Sequence, residues 1–202
     1  MITLLFSTWI KFFFLFAPFF VVSMFLALTR GQTRKECRRV ANRAVFASLF
    51  TSLVLMFFGG ALFAVLGITL DSFRIGAGIL LFLSAVSLVR DGIRTHATGM
   101  PIEERDDVSV VPLAIPTIIG PATIGAILVY GAELTGWDLF TGILGMTLAL
   151  ACLLVLLHLS TFFEQLLGRT GLNILSKITG LILAAMAAQL VMSGIGGFLT
   201  GI

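Results

Sequence analysis

Charge is scarce in this chain. Only 11% of its 202 residues are Asp, Glu, Lys or Arg, about half of what a soluble domain carries. Apolar residues make up 58%, and the mean hydropathy is +1.11. An ordinary soluble globule is excluded. Cysteine is almost absent: Cys37 and Cys152 are the only two, with no C-x-x-C and no Cys/His cluster. Zinc and dithiol redox chemistry therefore have no visible ligands. One cysteine falls in a polar loop and the other deep in an apolar run, which argues against a disulfide. Acidic residues are missing from every long apolar run, which removes the Asp or Glu of a carboxylate-based proton relay. With no nucleophile pair and no metal cluster, the reading is a protein that is not an enzyme and takes no metal or cofactor.

Long uncharged stretches are what the chain has instead. They cover 12–29, 44–70, 75–89, 108–132, 139–157 and 178–202, each close to or above the ~17–25 residues that cross a bilayer. The expectation is an all-α integral membrane protein with six transmembrane helices, in a single membrane domain over 1–202. The first run is longer than the ~7–15 residues of a signal-peptide core and reads as retained. Of thirteen basic residues, all but Lys11 and Arg74 lie in the first, third and fifth loops. By the positive-inside rule those loops are cytoplasmic and both termini external. In a bacterium this is a multi-pass inner-membrane protein. The net charge of +3 then needs only anionic lipid headgroups at the cytoplasmic face, not nucleic acid. Nothing in the pattern sets an oligomeric state.

Proline is rare too, but its positions are informative. Pro18 and Pro121 lie 103 residues apart, and the same offset pairs Arg74 with Lys177, Ile75 with Ile178, Ile79 with Ile182, Leu80 with Leu183 and Ala85 with Ala188. This reads as one unit written twice: repeat 1 over about 1–92, a cytoplasmic linker over about 93–107, and repeat 2 over about 108–202. Three helices per unit is an odd number, so the second unit inserts upside down. The expected architecture is two inverted three-helix repeats whose first helices, spans one and four, are broken by proline.

Pro18 removes the hydrogen bond to the Phe14 carbonyl, which must find another partner because lipid offers none. Span four holds Pro112, Pro116 and Pro121 within ten residues and cannot be one regular helix; Pro121 suits the first turn of a new half-helix. Asp71 or Ser72 is placed to cap the third span. Pro116, Thr117, Gly120, Pro121 and Thr123 are the leading candidates for a solute site, with Pro18, Ser23 and Ala17 as their repeat mates. A purely structural kink is the competing reading. Gln189 is a further candidate within span six. Arg74 and Lys177, at opposite mouths, are candidate gates or simply snorkelling cations. His158 is a possible proton relay. The small residues Gly76, Gly78, Gly180, Gly194, Gly196 and Gly197 suit close helix packing.

The block Val111–Ile124, with Phe25-Leu-Ala-Leu-Thr29, Gly67–Gly78 and the Ile178-Thr-Gly-Leu opening of span six, resembles the MarC family of bacterial inner-membrane proteins. The resemblance implies six spans and a relation to LysE-type exporters. It also implies a role as a small neutral amino-acid transporter. The family's first-span motif has asparagine where this chain has Ala17, glycine at Phe20 and a second proline at Ser23. The expected function is a secondary transporter of a small solute, plausibly a neutral amino acid, working by alternating access. A lipid-carrier flippase or a regulatory scaffold without transport is the alternative.

Overall fold

The structure, a computed structural model, describes residues 2–90, 113–114 and 117–200. The third loop, Pro112 and Pro116 lie outside the described residues. The described chain forms seven helices: α1 (Ile2–Leu15), α2 (Pro18–Leu28), α3 (Arg34–Leu66), α4 (Leu70–Arg90), α5 (Pro121–Glu133), α6 (Gly136–His158) and α7 (Ser160–Thr200). Four segments are long and apolar enough to cross a bilayer: Arg34–Gly59 of α3, α4, α6, and Thr170–Thr200 of α7. The α1–α2 pair, bent by 40°, makes a fifth. The fourth run of the sequence is described only in part, and its 13-residue α5 is too short to span alone.

Helix boundaries follow local chemistry. At the start of α3 the Thr33 hydroxyl accepts from the Glu36 N–H at 3.3 Å, and the Thr33 N–H donates to the Glu36 carboxylate at 2.8 Å. This reciprocal capping box satisfies donors the first turn leaves free. Gly67, at φ 65°, ends α3 in the left-handed turn that glycine adopts without penalty. α4 is capped by neither Asp71 nor Ser72; the Thr69 hydroxyl takes the Ser72 N–H at 3.2 Å. α7 is interrupted at Gly168, whose φ of 62° and ψ of 177° are not helical.

Both expected breaks are present, and proline stands in the first turn after each. The Phe14 carbonyl released by Pro18 is taken by the Ala17 N–H at 2.9 Å. That tightened turn forces Ala17 to φ 44°, ψ 59°, a left-handed conformation costing a non-glycine residue about 1–2 kcal/mol. Asparagine tolerates this region better than alanine does. Ala17→Gly relieves the strain but gives up one buried methyl, about 0.8 kcal/mol. The expected net gain is up to about 1 kcal/mol, a melting temperature about 2–4 °C higher in detergent. A lower melting temperature would show that the turn holds no strain.

Packing places α4 against α7 and α5, α3 against α5 and α6, α1 against α6, and α2 against α7. One apolar cluster joins Phe16, Ala17 and Val21 beside the first break to Ile118, Ile119 and Ala122 beside the second. Buried faces recur along the chain. Ala77, Gly78, Leu81 and Ala85 of α4 are buried, and so are Thr179, Gly180, Leu183 and Ala187 of α7, each 102 residues later. On α3, Ala41, Ala44, Val45, Ser48, Ser52 and Met56 are buried, as are the residues 101 later on α6. The offset of 103 therefore holds at the prolines but not between α4 and α7. There it would match buried Gly78 and Ala85 with exposed Leu181 and Ala188, because one residue turns a helix by about 100°.

Four of the six glycines expected to permit close packing do so. A methyl on Gly78 would stand 3.1 Å from the Ala187 carbonyl oxygen, and one on Gly180 would stand 3.0 Å from that of Ala85. Gly194 and Gly197 receive Asp71. Gly76 and Gly196 have open space instead.

Candidate functional site: a basic vestibule and an ion-paired opposite end

A cavity of about 1300 Å³ opens at the end of the molecule that carries the basic first loop. Its walls come from the second half of α2, the α2–α3 loop, the first turns of α3, the α6–α7 corner and the early part of α7. It reaches inward to Ser23, which is buried on α2 five residues past Pro18. The Ser23 hydroxyl donates to the Phe19 carbonyl of its own helix at 2.9 Å, leaving its oxygen lone pairs for a guest. Arg30, Arg34 and Arg38 line the mouth, facing Asn173, Thr170 and Glu164 on α7. His158 lines it as well, its Nε2 paired with Asn42 Oδ1 at 3.0 Å, an exposed contact at the rim.

The opposite end is ion-paired. Arg74 of α4 donates through Nε to Glu133 of α5 at 2.8 Å, and its Nη2 stands 2.7 Å from the same carboxylate oxygen. Nη1 is bound to Asp71 one turn earlier on α4. Arg74 and Glu133 are only partly exposed, 21% and 31%, so the pair is shielded more than a surface salt bridge. Beside it Lys11 sits 5.8 Å from the Tyr130 ring centroid, and that ring packs on Phe12 at 5.2 Å. Tyr130 thus turns inward, while Trp137 is exposed as an interface residue would be. In the sequence Asp71 stands out only as a helix cap and Glu133 not at all; neither is legible there as a partner of Arg74.

The other candidates are dispersed. Thr123 is buried at the start of α5, Thr117 and Gly120 are half-buried, and Pro121 is exposed. Neither N-cap residue, Gly120 before α5 nor Ala17 before α2, makes a side-chain cap hydrogen bond. Pro18 is buried in the core. Pro116 lies outside the described residues. Gln189 is exposed on the outside of α7, apart from both breaks. Lys177 is half-buried on α7, and among the described residues it makes no ion pair.

These features define a multi-pass helical membrane protein with broken helices and an internal cavity. The sequence pattern of the "MarC family integral membrane protein" matches residues 2–199, and the chain belongs to that family. It is 35% identical over 191 residues to a UPF0056 membrane protein of Aquifex aeolicus, covering 90% of this chain and 87% of the relative. It is 36% identical over 187 residues to UPF0056 membrane protein MJ1677 of Methanocaldococcus jannaschii, covering 90% and 91%. Against UPF0056 membrane protein YhcE of Escherichia coli the identity is 30% over 209 residues, covering 98% and 96%. No solved structure matches the chain.

Proposed function

We propose that the chain is a secondary transporter, not an enzyme, moving a small solute by alternating access between two inverted three-helix repeats in a bacterial inner membrane. The observation that carries this reading is the cavity open at the basic end and reaching inward to Ser23, five residues past Pro18, while at the other end Arg74 ties Glu133 to Asp71, which we read as the shut side. A pathway open on one side and ion-paired shut on the other is what one state of an alternating-access carrier requires. The positive-inside rule makes the open, basic end cytoplasmic and the termini external.

Internal symmetry supports the same reading. Exchanging the first three spans for the last three keeps three of the packing relations: α4 with α7, α3 with α6, and α4–α5 exchanged with α7–α2. The contact of Gly78 with Ala187 and that of Gly180 with Ala85 are the same contact made from either side, as a two-fold axis demands. Under that axis the sealed end and the open end can trade roles. A small neutral amino acid is the proposed cargo, in line with the family resemblance.

Purified protein in liposomes, tested with a panel of labelled amino acids, should show time-dependent uptake of at least one above protein-free vesicles. Thr117→Val should slow that flux about 3–10-fold, the worth of one lost hydrogen bond, and Pro121→Ala, which regularises the break, should slow it as well. Flux equal to that of protein-free vesicles across the whole panel would overturn the proposal.

A further inference from the structure

We infer that the vestibule is a recognition site for an oxyanion, a carboxylate or phosphate group, held by Arg30, Arg34 and Arg38. A basic first loop alone needs no cavity, since positive-inside charges ordinarily splay toward headgroups. Here three of its cations converge on one cavity wall while others do not. Arg34 and Arg38 are four residues apart on α3 and both line the cavity; Lys35 and Arg39, next to them in sequence, do not. Like charges at that spacing repel, and among the described residues none of the three arginines has an ion-pair partner. Glu164 is the one carboxylate among the lining residues, and it already has an interaction of its own. The wall is therefore left with excess positive charge.

Neutral donors stand ready beside the charges. Gln32 and Asn173 line the cavity, and each has a side-chain amide oxygen without a partner. Turning either amide end for end would point its N–H₂ group at an anion. The N-terminus of α3, with its positive dipole end, opens at the same wall. Guanidinium groups match carboxylate and phosphate geometry with paired N–H donors. The chemistry selects an oxyanion; it does not by itself distinguish a soluble solute from a lipid headgroup entering sideways.

The inference rests on reading the cavity as the pathway's cytoplasmic mouth, but it is tested by equilibrium binding without flux, so either idea can fail alone. Full-length protein in phosphatidylcholine nanodiscs at low salt is titrated with inorganic phosphate and, separately, with acetate. Saturable binding of at least one is expected. Arg34→Gln with Arg38→Gln should weaken it about tenfold or more, whereas Lys35→Gln with Arg39→Gln, the same charge loss on the same helix, should change it less than about twofold. Arg30→Gln, in a loop, provides a second variant that spares α3. Repeating the titration in phosphatidylglycerol nanodiscs distinguishes the sources. A raised apparent Kd that the Arg34/Arg38 variant abolishes means a headgroup occupies the site, and an unchanged Kd means a soluble anion does. Absence of saturable binding, or equal weakening by both double variants, would overturn the inference.

Discussion

Among the described glycines compared with it, Gly131→Ala is expected to destabilise the protein most, while the same change at Gly76 leaves it as stable or more so. At Gly131 the new methyl would run into the backbone of Met56, meeting its carbonyl oxygen, carbonyl carbon and Cα. Backbone cannot swing aside as a side chain can. One turn along the same crossing, Gly59 sits against the Leu128 backbone, so α3 and α5 touch through a glycine from each helix. Overpacking such a contact costs about 1–3 kcal/mol or more, against a helix-propensity gain of about 1 kcal/mol. At the upper end of that range the net loss is about 2 kcal/mol, or about 4–8 °C in melting temperature. Gly76 has nothing within 4 Å, so there only the propensity gain remains. Thermal melts of both variants in one detergent decide the matter: equal shifts would mean that the α3–α5 crossing is not tight.

What the sequence showed in advance, and what it hid, divides along physical lines. Proline can open a helix but not continue one, so Pro18 and Pro121 marked both breaks to the residue. The long apolar runs marked α3, α4, α6 and α7 for the same kind of reason: lipid leaves few alternatives. Helix faces were another matter. α4 and α7 are apolar nearly all round and lack the polar stripe that tells inside from outside. The prolines therefore suggested one offset of 103, whereas the buried positions of α4 recur on α7 at 102. Gln189 drew attention because it was polar within a span, yet polarity alone did not say which way it faced. The Arg74–Glu133 pair joins residues 59 apart, a separation no local pattern reveals. The vestibule arginines were visible as charges, but topology explained them so well that a cavity was not needed.

Breaking the Arg74 ion pairs should change which side of the protein water reaches. Arg74 binds two carboxylates at once, Glu133 across the α4–α5 contact and Asp71 on its own helix. Removing the guanidinium leaves Glu133 without its cross-helix partner and loosens α4 from α5. For a partly shielded pair the loss is about 1–2 kcal/mol, enough to multiply the population open at that end about 5–30-fold. Thr123 is a suitable reporter: it is 7% exposed, lies on α5, does not line the vestibule, and is nearly isosteric with cysteine. In a chain with Cys37→Ser, Cys152→Ser and Thr123→Cys, an impermeant maleimide is added on the side of the termini, and the labelling rate is followed. Arg74→Gln should raise that rate about 5–30-fold, and Glu133→Gln should do the same. The two together should do no more than Arg74→Gln alone, because removing the guanidinium already deletes the Glu133 contact. Gly197→Ala offers an independent route, since its methyl would press on the Asp71 carboxylate and pull it from Arg74 without altering any charge. Unchanged labelling in all three variants would mean that the ion pair fastens two helices but gates nothing, and the alternating-access reading would lose its closed side.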